Sequence, residues 1–167
     1  MPKKPKTNQK GFTLIELLIA VAIVGLIAAG AAGATVQIVQ STDTTAHMLA
    51  VRQVQTAGYW VSTDALQAQY VTAQGPTGFP LNLQWTDSES YNHTVTYTLQ
   101  PMHGLYKLQR SDGATSMTVG QYLTDDTICS WSGSAGVLTF TVEASVTGAR
   151  GPEIETRTYE IEPRPLS

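Results

Sequence analysis

Residues 10–30 read Lys10-Gly11-Phe12-Thr13-Leu14-Ile15-Glu16-Leu17-Leu18-Ile19-Ala20-Val21-Ala22-Ile23-Val24-Gly25-Leu26-Ile27-Ala28-Ala29-Gly30, and this stretch decides the fold. A basic leader carrying Lys3, Lys4, Lys6 and Lys10 precedes it, and the apolar run continues to Ala34. One acid, Glu16, interrupts the run close to its start. A carboxylate in bilayer hydrocarbon costs about 2.5–3.5 kcal/mol even on mild insertion scales, so Glu16 needs a partner or a task. An ordinary secretory signal accounts for the lysines and for Ala32-Gly33-Ala34 as a small-residue cleavage site. A plain membrane anchor accounts for the length of the run. Neither explains the acid.

The basic leader, Gly11 before Phe12, and Glu16 four residues after that Phe together resemble the prepilin signal of type IV pilins and type II secretion pseudopilins. The resemblance covers about the first third of the chain. It implies that a membrane peptidase, the prepilin peptidase, cuts between Gly11 and Phe12 and N-methylates Phe12 as the mature N-terminus. The chemistry agrees with that transfer, because Gly11 suits a subsite that admits only a small residue. The ammonium created at Phe12 would be as unwelcome in lipid as the Glu16 carboxylate. The resemblance implies that the two neutralise each other between neighbouring subunits of a filament, fixing their axial register.

The resemblance also implies a structural protein, probed neither by a catalytic motif nor by a cofactor. The expected organisation is a leader over residues 1–11, a transmembrane assembly helix over 12–40, an amphipathic helix over 41–74 and an antiparallel sheet over 75–167. The fold class is α+β, a long helix packed on a sheet as pilin-like proteins are built. Gly25, Gly30 and Gly33 are candidate helix-packing positions, where a missing side chain lets a neighbouring helix approach. Gly30 and Gly33 also weaken the helix, by up to about 1 kcal/mol each relative to Ala, so loosening on assembly is the other reading. The stretch over residues 51–71, VRQVQTAGYWVSTDALQAQYV, and the many strands after it look like a minor pilin or pseudopilin of the J or W kind. The expected partners are the peptidase, other subunits and the cytoplasmic membrane. Pilus, secretion and DNA-uptake machines all share this signal.

At 167 residues the chain has room for one modest domain beyond the apolar segment. Removing the four leader lysines leaves 6 basic against 13 acidic groups, a charge near −7. Phosphate contacts need cations, so direct nucleic-acid binding is not expected. Lysines ahead of the span orient it with the C-terminus outside, and the assembled filament is then extracellular or periplasmic. Cys129 is the only cysteine, which excludes an intrachain disulfide and reads as a buried core residue.

Polar residues Ser41, Thr42, Asp43, Thr44 and Thr45 mark a candidate break in the helix. Helical periodicity then returns over residues 46–71. Val51, Val54, Gly58, Val61, Ala65 and Ala68 form one stripe, widened by Tyr59, Leu66 and Tyr70. Trp60 falls among polar positions, a candidate contact with another subunit or a ring covered locally. Gly75-Pro76-Thr77-Gly78-Phe79-Pro80 ends the helical region. Alternation then predicts strands over 81–85, 93–100, 105–110, 122–123, 128–131, 137–146 and 154–161, the last at an edge because charges stud it. His47, His93 and His103 are too scattered for metal-ligand spacing. Asp112, Asp125 and Asp126 are oxygen-rich, but no loop alternates acids with a glycine as a calcium site does. No metal site is expected.

Overall fold

The computed structural model describes residues 12–164. Its helix α1 spans Leu14–Gln67. Eight strands follow: β1 (Tyr70–Ala73), β2 (Leu81–Thr86), β3 (Asn92–Met102), β4 (Leu105–Ser111), β5 (Ser116–Leu123), β6 (Ile128–Ser132), β7 (Val137–Thr147) and β8 (Pro152–Ile161). The fold is α+β and pilin-like. By internal contacts the chain divides after Ser41 into two compact units.

In the first unit α1 is apolar almost all round, and its large side chains are exposed, between 51% at Ile23 and 81% at Leu14. It is long and apolar enough to cross a membrane by length and composition. The polar stretch over residues 41–45 does not break α1, which is helical throughout. The carboxylate best placed to cap a break is used elsewhere. Asp43 Oδ1 accepts hydrogen bonds from the backbone N–H groups of Ala149, at 2.7 Å, and Arg150, at 3.1 Å.

In the second unit the buried face of α1 comprises Ala46, Ala50, Val54, Ala57, Gly58, Val61, Asp64 and Ala65. This is the three-and-four spacing of one helical face. The face is built of small residues, and the sheet comes close to it. A Cβ on Gly58 would overlap the ring of Tyr159, whose hydroxyl donates to the carbonyl oxygen of Val54. Tyr59, Leu66 and Tyr70 do not widen this face. All three are exposed, and Trp60 is the ring that packs against the core. The helix also stops at Gln67, so Tyr70 and Val71, which continue its periodicity on paper, lie in strand β1 instead.

The strands are antiparallel in the order β1-β2-β3-β4-β5-β7-β6, with β8 on β7. One edge of β7 takes β8 over its whole length, from Leu138↔Ile161 to Thr147↔Pro152. Its other edge is shared: β6 pairs with Val137 through Thr141, and β5 joins at Leu123↔Ala144. Leu138, Phe140, Val142, Ala144 and Val146 of β7 all face the core, and each full burial of a Leu or Phe contributes about 1.5–3 kcal/mol. Strand β8 is an edge strand, pairing only with β7. The loop between β1 and β2 is clamped to β6. Cys129 N–H donates to the carbonyl of Thr77 at 2.8 Å, and Gly78, at φ +79°, lies so near the Cys129 carbonyl that a side chain has no space.

Candidate processing and assembly site

The first described residues form a reciprocal helix cap. The Thr13 carbonyl accepts from Leu17 N–H at 3.2 Å, which starts the helical ladder. Thr13 Oγ1 accepts from Glu16 N–H at 3.3 Å, and Glu16 Oε2 accepts from both the N–H and the hydroxyl of Thr13, each at 2.9 Å. This is a capping box, in which Thr at the N-cap and Glu three residues on satisfy each other's orphan donors. Thr13 was legible from the Thr-x-x-Glu spacing alone. Only one oxygen of Glu16 is used by the cap; Oε1 accepts no hydrogen bond among the described residues. Phe12 sits directly outside the cap, 85% exposed.

Gly11 and the leader lysines lie outside the described residues. Gly25, Gly30 and Gly33 lie within α1, and a Cβ built on any of them meets nothing within 4 Å. No side chain of the described chain fills those notches. This separates them from Gly58, whose missing side chain makes room for Tyr159.

With that geometry in hand, a family model of a prokaryotic N-terminal methylation motif matches residues 6–32. The chain carries the methylation motif. The match covers Gly11, Phe12, Thr13, Glu16, Gly25 and Gly30, and it is the signal of type IV pilins and pseudopilins. It supports a pilin-like or pseudopilin subunit processed by prepilin peptidase. Together with the apolar helix it fits a membrane-anchored protein. No curated protein and no solved structure matches the chain. The methylation motif therefore speaks for the first helix, and the strand-rich unit has to be read from its own residues.

The other polar groups are dispersed. His47 is 4.0 Å from Glu153, His93 Nε2 is 2.8 Å from Asp87, and His103 occupies the turn between β3 and β4. Asp112 and the pair Asp125-Asp126 lie at opposite ends of β5. Asp112 is spent on its own turn, accepting from the N–H groups of Thr115 at 2.9 Å and Ala114 at 3.3 Å. Those bonds, Thr115 first, hold its carboxyl below the usual range. Cys129 is buried, and burial pushes its thiol up to about 12. A thiol so far from ionisation is a poor nucleophile.

One cluster escaped the sequence reading. Asp64, on the buried face of α1 and 4% exposed, accepts from Arg110 Nε at 2.7 Å and from Nη2 at 3.2 Å. It also accepts from the Tyr97 hydroxyl. The Arg110 guanidinium lies 5.4 Å from the centre of the Trp60 ring. Trp60 is thus covered within its own domain, by a cation from the sheet. Burial, then the Asp64 carboxylate, push the Tyr97 phenol well above its ordinary range, so it stays a donor. The signal available in the sequence was an acid three residues after Val61 on an apolar stripe. The matching Arg is 46 residues away along the chain.

Proposed function

We propose that the chain is a structural subunit, and a minor one, of a type IV pilus-like or type II secretion pseudopilus filament. Prepilin peptidase removes residues 1–11 and methylates Phe12. Residues 12–40 hold the protein in the cytoplasmic membrane, with the C-terminus outside, until it is drawn into the filament. The observation that carries this reading is the second oxygen of Glu16. Its carboxylate is only half used by the Thr13 cap, on the first part of α1, whose large apolar side chains are exposed among the described residues. The free Oε1 is available to the Phe12 ammonium of a neighbouring subunit. Two charges that are costly singly in hydrocarbon become tolerable as a pair, which couples subunit addition to prior cleavage.

In the filament, the notches at Gly25, Gly30 and Gly33 admit neighbouring helices at close range. Packing is favoured over loosening as their role, because α1 keeps unbroken helical structure through all three. The minor role is supported by the length of the strand-rich unit and by the J- or W-like character of residues 51–71.

The test is the intact mass of the mature protein isolated from membranes. A chain starting at N-methylated Phe12 is expected. A chain starting at Thr35 would establish a secretory signal, and a chain retaining the leader a simple anchor. Either result overturns the reading and leaves a membrane-anchored or secreted binding module in its place.

A further inference from the structure

The corner of the sheet where β1, β2 and β3 meet holds a cavity of about 350 Å³. This is within the range of small-ligand sites, about 300–1,000 Å³. Its lining is aromatic and amide. Tyr70, Trp85 and His93 supply rings, Gln69, Gln84 and Asn92 supply amides, and two threonines complete the wall. The Trp85 and His93 rings are stacked, 5.4 Å apart with 16° between their planes. Asp87, 2.8 Å from His93 Nε2, pins the imidazole in that position. Tyr70 is 57% exposed and stands on a different strand, β1.

The amides are oriented but not used up. Gln69 Oε1 accepts from Thr86 N–H at 3.1 Å, and Asn92 Oδ1 accepts from the Thr86 hydroxyl at 2.8 Å. Those bonds fix which end of each amide is the carbonyl and leave both NH₂ groups without a partner among the described residues. Gln84 makes no side-chain hydrogen bond among them at either end. Register sets Tyr70 opposite Gln84 and Gln84 opposite Thr94, so the exposed Tyr70 ring shares one face of the sheet with neutral amide and hydroxyl groups. Trp85 and His93 alternate with them, on the face of Leu83 and Val95. The surrounding face has the same chemistry. The positions of β2 and β3 that alternate with buried Leu81, Leu83, Val95 and Tyr97 are Asn82, Gln84, Thr94, Thr96 and Thr98, all uncharged. In a chain with 13 acids, an uncharged sheet face is a specific feature.

We propose that this corner is a binding site for a neutral glycan. A sugar ring has an apolar face of C–H groups, which stacks on aromatic rings, and a rim of hydroxyls, which pair with amides as both donor and acceptor. Charged ligands do not fit the lining. It offers no Lys or Arg to phosphate, sulfate or carboxylate, and a nucleic acid strand needs such cations along its backbone. The cavity seats one ring, and the uncharged face beside it accommodates a chain leading away. This site is independent of the filament reading, which concerns only residues at the N-terminal helix.

Full-length processed protein in nanodiscs free of glycolipid and of sugar-based detergent is titrated by calorimetry with hexamers of β-1,4-glucose, β-1,4-N-acetylglucosamine and α-1,4-glucose. Oligothymidylate and heparin are titrated alongside. At least one neutral hexamer binds. Removing a stacking ring with Tyr70→Ala weakens it about tenfold, and Gln84→Ala about fivefold. Trp85 packs against the core and is left unchanged, so Tyr70 and Gln84, exposed on the binding face, decide the matter. Three results would overturn the proposal: no neutral hexamer binds the wild type, both exposed variants bind like wild type, or oligothymidylate or heparin binds more tightly than every neutral hexamer.

Discussion

The two parts of helix α1 each carry an acid on an apolar face, Glu16 in the first and Asp64 in the second, and they treat it in opposite ways. Glu16 in the first part is satisfied by a neighbour three residues away and keeps one oxygen open. Asp64 in the second part is buried and receives donors from two strands, Tyr97 of β3 and Arg110 of β4. The glycines divide in the same way. Gly58 makes room for a ring of its own chain, whereas Gly25, Gly30 and Gly33 make room for nothing in it. One continuous helix therefore contains a segment whose packing problem is solved internally and a segment whose solution must come from other molecules or from lipid. A helix that is apolar all round is either deeply buried or membrane-spanning, and the first part is not buried by its own chain.

The comparison is broken most directly at Asp64. Asp64→Ala leaves Arg110 and Tyr97 without their acceptor and is expected to cost about 3–5 kcal/mol, read as a lower thermal midpoint of the strand-rich unit. Replacing Asp64 and Arg110 together by Leu and Met is expected to recover most of that loss. If the single variant melts like the wild type, Asp64 is not the internal counterpart of Glu16. Next comes Glu16→Ala. Cleavage is expected to persist and the melting of the strand-rich unit to be unchanged, while incorporation into sheared filaments falls about a hundredfold, the equivalent of about 2.5–3.5 kcal/mol. Normal incorporation would remove the acid from the assembly mechanism.

A third experiment makes the same substitution in both parts. Gly58→Ala forces a methyl against Tyr159 and is expected to destabilise by about 1–3 kcal/mol. Gly30→Ala meets open space and is expected to stabilise the helix of the isolated subunit by up to about 1 kcal/mol, while impairing filament packing. Equal signs in a helicity and melting series would erase the distinction. Thr13→Ala removes the cap and is expected to cost about 1 kcal/mol of local helix stability, seen as faster amide exchange in the first turn. The smallest effect concerns pH. Bonds from His93 first, then Tyr91, hold the Asp87 carboxyl below its ordinary range. The contribution of that turn is present above the unfolded Asp value and is lost only as pH falls through the lower folded one. Amide resonances of Glu89 and Tyr91 are expected to shift in that acidic window and not near neutrality.

Much of this was legible along the chain, for identifiable reasons. Strand β7 could be read from strict alternation of Leu138, Phe140, Val142, Ala144 and Val146, because one face of it is wholly core. The breaker run from Gly75 to Pro80 was legible as the end of the helical region because its chemistry is local. Strand β5 was visible only at Tyr122-Leu123, since its first three residues are exposed and polar or flexible in character. Strand β1 was not visible at all. It is four residues long, follows the helical period, and exists because β2 pairs with it. For Trp60 the sequence left two readings open, for a related reason, and the structure gives the local cover. A helical wheel gives direction about an axis but not the reach of Arg110 from β4. Glu16, Gly11 and the leader lysines were all readable as one signal, because it is written in adjacent residues and matches the methylation motif over residues 6–32. The aromatic and amide corner was not, since Gln69 and Asn92 meet only through Thr86 on the strand between them.

Strand β8 supplies both the second edge of β7, from Leu138 to Thr147, and the Tyr159 ring over Gly58. Until β8 has left the ribosome, the nascent strand-rich unit lacks that strand and the helix lacks its lid. A chain stopped at the Gly148–Gly151 turn would display one unpaired edge of β7 and an open helical furrow to the cell's proteases, whereas β8 covers both. A check on completion of the unit is thereby placed in β8, far along the message from the signal that addresses the protein.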